Sequence, residues 1–247
     1  MTALNLPTRN RTGGFTLISL LAVLVTIILL GGILLPALAK ARLKSVQVRC
    51  AANLRQLGLA AQTYAHGDPR KLFPDCTGAT WPWDIPGPVV NALLKDGAKR
   101  EIFYCPGMPE QNNDILWNFT AGEAGTSGYR VIGYAVAFRG AGRVRFTNVT
   151  ESLTPAPYRI GNAEYQPPPS ARVLSADATL SIGSNERDRP RNRYTEIYGG
   201  WSRPHRAPHL NGKIPAGGNL VFLDGHTEWK PFERMRVRTE AEPPFWW

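Results

Sequence analysis

The chain has 247 residues, 29 of them Lys or Arg against 19 Asp or Glu, for a formal net charge of +10 at neutral pH. No Asp or Glu precedes Asp68 whereas seven Lys or Arg do, leaving 22 basic against 19 acidic residues beyond it. The bulk of the chain is therefore only mildly basic, and its nearest basic cluster, Arg187 to Arg193, is interrupted by Asp188 and Pro190, so a nucleic-acid partner is not expected.

A short basic leader, 1–14, carries Arg9 and Arg11 and ends in Gly13-Gly14. It is followed by 25 uncharged residues, Phe15 to Ala39, dominated by Leu, Ile and Val. A bilayer core of about 30 Å needs roughly 20 apolar residues in helix, so 15–39 is expected to be a single transmembrane helix. A cleaved secretory signal, with Ala37-Leu38-Ala39 as its cut site, competes with this reading, but its apolar region is usually only about 7–15 residues long. An uncleaved signal anchor is the third possibility. Arg9 and Arg11 favour a cytoplasmic N-terminus; Lys40, Arg42 and Lys44 argue the other way on counting, but a long C-terminal domain is translocated largely regardless of nearby charge. The expected location is the inner (cytoplasmic) membrane, with the C-terminal domain periplasmic or extracellular.

Residues 40–66 continue the helix as an amphipathic stem. Leu43, Val46, Cys50, Leu54, Leu57, Ala61 and Tyr64 recur at spacings of three and four, one buried helix face. Gly67-Asp68-Pro69 stops it. The helix would run about 75 Å at 1.5 Å per residue, weakened at Gly31, Gly32 and Pro36, where proline removes a hydrogen bond and crowds the preceding turn.

Residues 67–247 are enough for one domain with its own core. A short helix is expected near Val89 to Leu94, and strands at Tyr129 to Phe138 and Arg172 to Ala176. A hairpin is expected with Asp224-Gly225 as its two-residue turn, between Leu220–Leu223 and His226–Trp229. Asn112 to Gly128 and Thr150 to Ser170 read as loops. The expected class is α+β, an antiparallel sheet against the stem helix.

Candidate chemistry is sparse. His205, His209, Asp224 and His226 are donors suited to zinc or nickel, but no His-x-x-x-His or Cys-x-x-Cys pair occurs and Asp224 is explained as a turn residue, so neither a metal nor a cofactor is expected. Ser175 and Ser181 lack a Gly-x-Ser-x-Gly setting, no phosphate-binding glycine loop is present, and no catalytic residue is assigned; an enzyme is not expected. Of Cys50, Cys76 and Cys105, one pair could bridge outside the cytoplasm; Cys76–Cys105 would tie two loops, with Cys50 a small core residue on the stem. Trp81-Pro82-Trp83 and Phe245-Trp246-Trp247 are candidates for glycan stacking, although aromatic residues mostly fill cores.

The stretch Gly14-Phe15-Thr16-Leu17-Ile18-Ser19-Leu20-Leu21 resembles the N-terminus of type IV pilins and type II secretion pseudopilins, and Pro36 sits where many of these carry a helix-kinking proline. The resemblance implies cleavage by a prepilin peptidase between Gly14 and Phe15, N-methylation of Phe15, and other pilin or pseudopilin subunits and the lipid bilayer as partners. The family usually has glutamate where this chain has Ser19, and serine carries no charge to meet a neighbour's N-terminal amine. The implied place is a minor or tip subunit, or an anchor outside any filament. Near the other end, His209 and Ala216-Gly217-Gly218-Asn219-Leu220-Val221-Phe222-Leu223-Asp224-Gly225-His226, with Trp229, resemble the His-spacer-Asp-Gly ending of bacterial prepilin-type proteins. The expected function is a structural subunit of a pseudopilus-like or pilus-like assembly. The alternative is a tethered extracytoplasmic module that binds glycan or another surface polymer.

Overall fold

The computed structural model describes residues 17–95, 97–119, 128–199 and 201–247. The chain divides into two compact units, 1–44 and 45–247. The first helix, α1 (Leu17–Gly67), belongs to the first unit by its N-terminal part and to the second by the remainder.

In the first unit no described residue is buried, and Leu17 and Ile33 are 83% and 73% exposed. Apolar side chains surround the helix on all sides, so no stripe selects one packing face. Among the described residues this is the one helix long and apolar enough to cross a membrane. Its run from Leu17 to Leu38 spans about 33 Å at 1.5 Å per residue. Pro36 stands inside the continuous helix. The Thr26 hydroxyl turns back to the Ala22 carbonyl, which satisfies it within the helix itself.

In the second unit α1 becomes one-sided. Cys50, Leu54, Leu57, Gly58, Ala60, Ala61 and Ala65 are buried; Val46 and Tyr64 are half-buried and Leu43, in the first unit, is exposed, so the expected stripe begins one turn later than its spacing suggests. The helix ends at Gly67, where Asp68 caps the following turn by accepting from the backbone N–H groups of Arg70 and Leu72.

The remaining elements, in chain order, are β1 (Asp84–Pro86), α2 (Gly87–Lys95), α3 (Asp114–Trp117), β2 (Tyr129–Val131), β3 (Tyr134–Val136), β4 (Tyr158–Ile160), β5 (Ala163–Tyr165), β6 (Val173–Asp177), β7 (Thr179–Leu180), β8 (Leu210–Asn211), β9 (Ile214–Pro215), β10 (Gly217–Phe222), β11 (Thr227–Pro231) and β12 (Phe245–Trp246). The principal sheet is antiparallel throughout, in the order β11-β10-β6-β3. The class is therefore α+β, as expected.

Register decides what α1 meets. Leu220 lies opposite Ala176 and Val221 opposite Ser175, while Tyr134 lies opposite Asp177 and Val136 opposite Ser175. Directly paired residues share a face, so Val221, Ser175 and Val136 form one row under the helix, and Asn219, Asp177 and Tyr134 the row beside it. The helix rests on both: Gln62 donates to the Leu223 carbonyl at 2.7 Å, and Asn219 donates to the Gln47 carbonyl at 3.2 Å. At Gly58 the approach is closest, since a Cβ there would stand 2.8 Å from a methyl of Val221.

Three expectations need correcting. The segment Tyr129 to Phe138 is two strands, because the chain leaves β1 and joins β6 at Gly133; a Cβ there would lie 2.8 Å from the Cys105 backbone nitrogen, so only glycine passes. The hairpin of β10 and β11 closes with three residues, Leu223-Asp224-Gly225, rather than two. Gly225 donates to the Phe222 carbonyl, Phe222 donates to the His226 carbonyl, and of the turn residues only Gly225 takes positive φ. The stretches read as loops contain α3, capped by Asn113, and the β4–β5 hairpin, which turns at Gly161-Asn162; residues 120–127 lie outside the described residues.

The tryptophan-rich end is internal. Trp246 and Trp247 are 0% and 2% exposed. β12 pairs with β7, the Trp246 indole donates to Ser181 Oγ at 2.8 Å, and Arg189 stacks over both Phe232 and Trp246. Trp83 is also buried, so of the tryptophans considered for glycan stacking only Trp81 retains partial exposure, and Arg143 covers it at 4.1 Å.

Gly58→Ala isolates the helix–sheet contact. Alanine favours helix over glycine by about 1 kcal/mol, but overpacking a stiff β-branched neighbour costs about 1–3 kcal/mol. Denaturant unfolding of the full chain in detergent is expected to show Gly58→Ala destabilising the wild type and stabilising a Val221→Ala background. A stabilised single variant would mean that the helix does not seat on Val221.

Candidate functional site

One group of metal-binding residue types converges among the described residues: Cys50, Cys105, Asp177 and His209, with ligand atoms all within 4.8 Å of one another and every residue buried. Each comes from a different part of the second unit. Cys50 is the first buried residue of the α1 stripe. Cys105 begins the Cys105-Pro106-Gly107-Met108 turn, closed by Met108 donating to the Cys105 carbonyl. Asp177 ends β6, and its side chain lies in the row facing α1. His209 precedes β8 with φ of +53°, a left-handed conformation that non-glycine residues seldom adopt.

The contacts are direct. The Cys50 thiol donates to Asp177 Oδ1 at 2.8 Å and lies 3.5 Å from the Tyr134 hydroxyl. His209 Nε2 sits 3.1 Å from Asp177 Oδ2 and 3.3 Å from Cys105 Sγ. Around these, Asn219 donates both its backbone N–H and its side-chain amide to Asp177 Oδ2, at 2.7 and 3.1 Å, and the Gly107 N–H donates to Cys105 Sγ at 3.3 Å. The Tyr134 hydroxyl donates to the Tyr104 carbonyl. Trp229 closes one side, its ring edge-on to His209 at 5.3 Å.

The electrostatics are those of a buried ion pair. Burial alone would lower the His209 pKa, but the Asp177 carboxylate outweighs it and raises it. Burial opposes ionisation of Asp177, yet His209 and hydrogen bonds from Cys50 and Asn219 hold its pKa below the ordinary carboxyl value. Both thiols go up, Cys50 furthest, from burial first and then from its neighbours, including Asp177. A nucleophilic cysteine is activated by a lowered pKa, and here the protein's own groups push the opposite way.

The residues singled out from the sequence fall elsewhere or only partly here. Gly14 and Phe15 lie outside the described residues. Ser19 and Pro36 lie on α1 in the first unit. The expected Cys76–Cys105 bridge is not formed: all three cysteines are free and buried, and Cys105 is gathered with Cys50, leaving Cys76 outside the group. Of the four residues weighed for a metal, only His209 belongs to the group. His205 is buried with its Nε2 on the Gly199 carbonyl, and Asp224 and His226 form an exposed pair at the hairpin turn. Cys50 and Asp177 were not legible as its partners, since 127 positions separate them and no spacing motif joins them.

No known protein family, curated protein sequence or solved structure matches the chain.

Asp84 is a second buried carboxyl, in β1 and apart from this group. Burial raises its pKa to about 7, only partly offset by the Trp81 N–H it accepts at 2.9 Å. The folded chain thus holds a proton here at pH values where the unfolded chain has released it. The cost of the buried carboxylate is absent below the ordinary carboxyl pKa and complete above about 7. Relative to wild type, Asp84→Asn is expected to gain on the order of 3–4 kcal/mol between pH 4 and pH 8, read by unfolding both proteins at each pH. Parallel pH profiles would contradict this.

Proposed function

We propose that the chain is a membrane-anchored, prepilin-like structural subunit, minor or at the tip, of a type II secretion-like pseudopilus or type IV pilus-like assembly. The observation that carries this reading is the change of character along α1. Up to Ser45 its described residues bury nothing although they are overwhelmingly apolar, and from Cys50 onward one stripe is fully buried on an antiparallel sheet. An apolar helix with no protein around it requires lipid or like helices as its solvent. A pilin-like subunit offers it both, the bilayer before assembly and neighbouring subunits afterwards.

On this reading the prepilin peptidase cuts between Gly14 and Phe15 and Phe15 is N-methylated. The N-terminus is cytoplasmic, and the sheet-containing unit faces the periplasm or exterior. Lys40, Arg42 and Lys44, all exposed and just beyond the apolar run, suit an interface with anionic head groups. Ser19 supports a minor or tip place, where a charge pair to a preceding subunit has no role.

A second reading, a tethered module that binds glycan, is favoured by an open cleft of about 710 Å³ lined by Arg139, Arg143, Phe146, Tyr158 and Arg172, in which Phe146 is 64% exposed. Loss of binding by Phe146→Ala on a glycan array, with no filament recovered from the cells, would favour it.

The deciding measurement is the mature N-terminus, by mass spectrometry of the membrane fraction. N-methylated Phe15 is expected, together with an uncut leader in a Gly14→Val variant. A start at Lys40 would make the product a released domain, and an intact leader in the wild-type chain would leave only a tethered one; either overturns the subunit reading.

A further inference from the structure

We propose that Cys50, Cys105, Asp177 and His209 hold one zinc-class divalent ion as a closed structural centre that fastens the stem part of α1 to the sheet. Two thiols, an imidazole and a carboxylate are a donor set that selects a soft or borderline metal, with four protein ligands leaving no open position.

The spacing suits the ion. Zinc–sulfur bonds of about 2.3 Å and zinc–nitrogen bonds of about 2.0 Å imply ligand atoms about 3.3–3.8 Å apart around a tetrahedron. Here His209 Nε2 is 3.3 Å from Cys105 Sγ and 3.1 Å from Asp177 Oδ2, and no pair of ligand atoms exceeds 4.8 Å. With Cys50 Sγ also 2.8 Å from Asp177 Oδ1, the four side chains, from four separate segments, stand around the range one ion requires, and small side-chain shifts would seat it.

The surroundings are those of ligands. Asn219 holds one carboxylate oxygen of Asp177 with two N–H donors, and the Gly107 N–H points at Cys105 Sγ. Such outer hydrogen bonds orient ligands and spread thiolate charge. Gly107 also suits its place sterically, since a Cβ there would press on Cys105 Sγ at 3.3 Å and on the His209 backbone nitrogen at 3.4 Å.

Without an ion the proton count is poor. Cys50 gives its only proton to Asp177, and Tyr134 gives its hydroxyl proton to the Tyr104 carbonyl, so the 3.5 Å contact between sulfur and hydroxyl has no proton left to bridge it. Burying an ion pair and two thiols together is costly, and apolar side chains of similar volume are often the more stable filling. A divalent cation changes this: it displaces both thiol protons and the proton His209 holds at Nε2, and its charge offsets two of the three negative charges on the thiolates and carboxylate.

The competing fate is a Cys50–Cys105 disulfide. It would need the sulfurs at about 2.05 Å, and would take from Asp177 and His209 the sulfur contacts they now make.

The test uses the full chain, extracted in detergent without a metal-binding tag. Elemental analysis is expected to find about one zinc per chain, retained by Cys76→Ser and lost from Cys105→Ser. Should Cys105→Ser fail to fold, the wild type still decides: replacement by cobalt(II) is expected to give sulfur-to-metal charge transfer in the near ultraviolet and the intense visible bands of tetrahedral cobalt. Metal-free protein without that spectrum, metal content unchanged in folded Cys105→Ser, or a Cys50–Cys105 disulfide in the peptide map of the isolated protein would each overturn the proposal.

Discussion

The second unit depends on the seating of α1 across the middle strands of its sheet. Two rows of side chains make the seat. Val221, Ser175 and Val136 give a small-residue surface on which Gly58 can lie almost backbone to methyl, and Asn219, Asp177 and Tyr134 give a polar row that meets Cys50. Hydrogen bonds from Gln62 and to Gln47 fix the helix along its length. Apolar burial supplies most of the attraction, and it is insensitive to sliding. The polar row sets the register, because a buried carboxylate tolerates only the position at which its partners are present.

The same helix has two characters. From Leu17 to Ala39 its residues are overwhelmingly apolar on every side and none is buried; in the second unit its periodicity narrows to one stripe of Cys, Leu, Gly and Ala. The small residues in that stripe suit close approach to strands, whereas the Leu, Ile and Val of the first part suit a fluid surrounding with no fixed partner. One continuous hydrogen-bonded element can serve both because helix formation satisfies its backbone without help from either environment.

Much of this framework was legible in the sequence, and the reasons are local. The apolar run, the three-and-four stripe though not its start at Leu43, the stop at Gly67 and a hairpin at Asp224-Gly225 though not its three-residue length all act within a few residues, so their signals survive in a single chain. The division of Tyr129 to Phe138 was hidden because it depends on Cys105, a neighbour in space that the segment's own pattern does not reveal. The Cys50, Cys105, Asp177 and His209 group was hidden for the same reason. Each residue has a plain local reading, as stem core, loop cysteine, strand end and spacer histidine, and only the tertiary packing of helix, turns and sheet, in its particular order, brings them together.

That order also constrains when the second unit can form. β6, the strand carrying Asp177, has β10 and β3 as neighbours, and Asn219 on β10 reaches the Gln47 carbonyl across 172 positions of sequence. The buried stripe of α1 thus has no complete sheet to cover it until the chain through β10 has been made. Contacts this distant are slow to form, since loop closure must precede their reward. The stem stripe therefore stays without its full cover through most of synthesis, a window in which exposed apolar surface is open to wrong association.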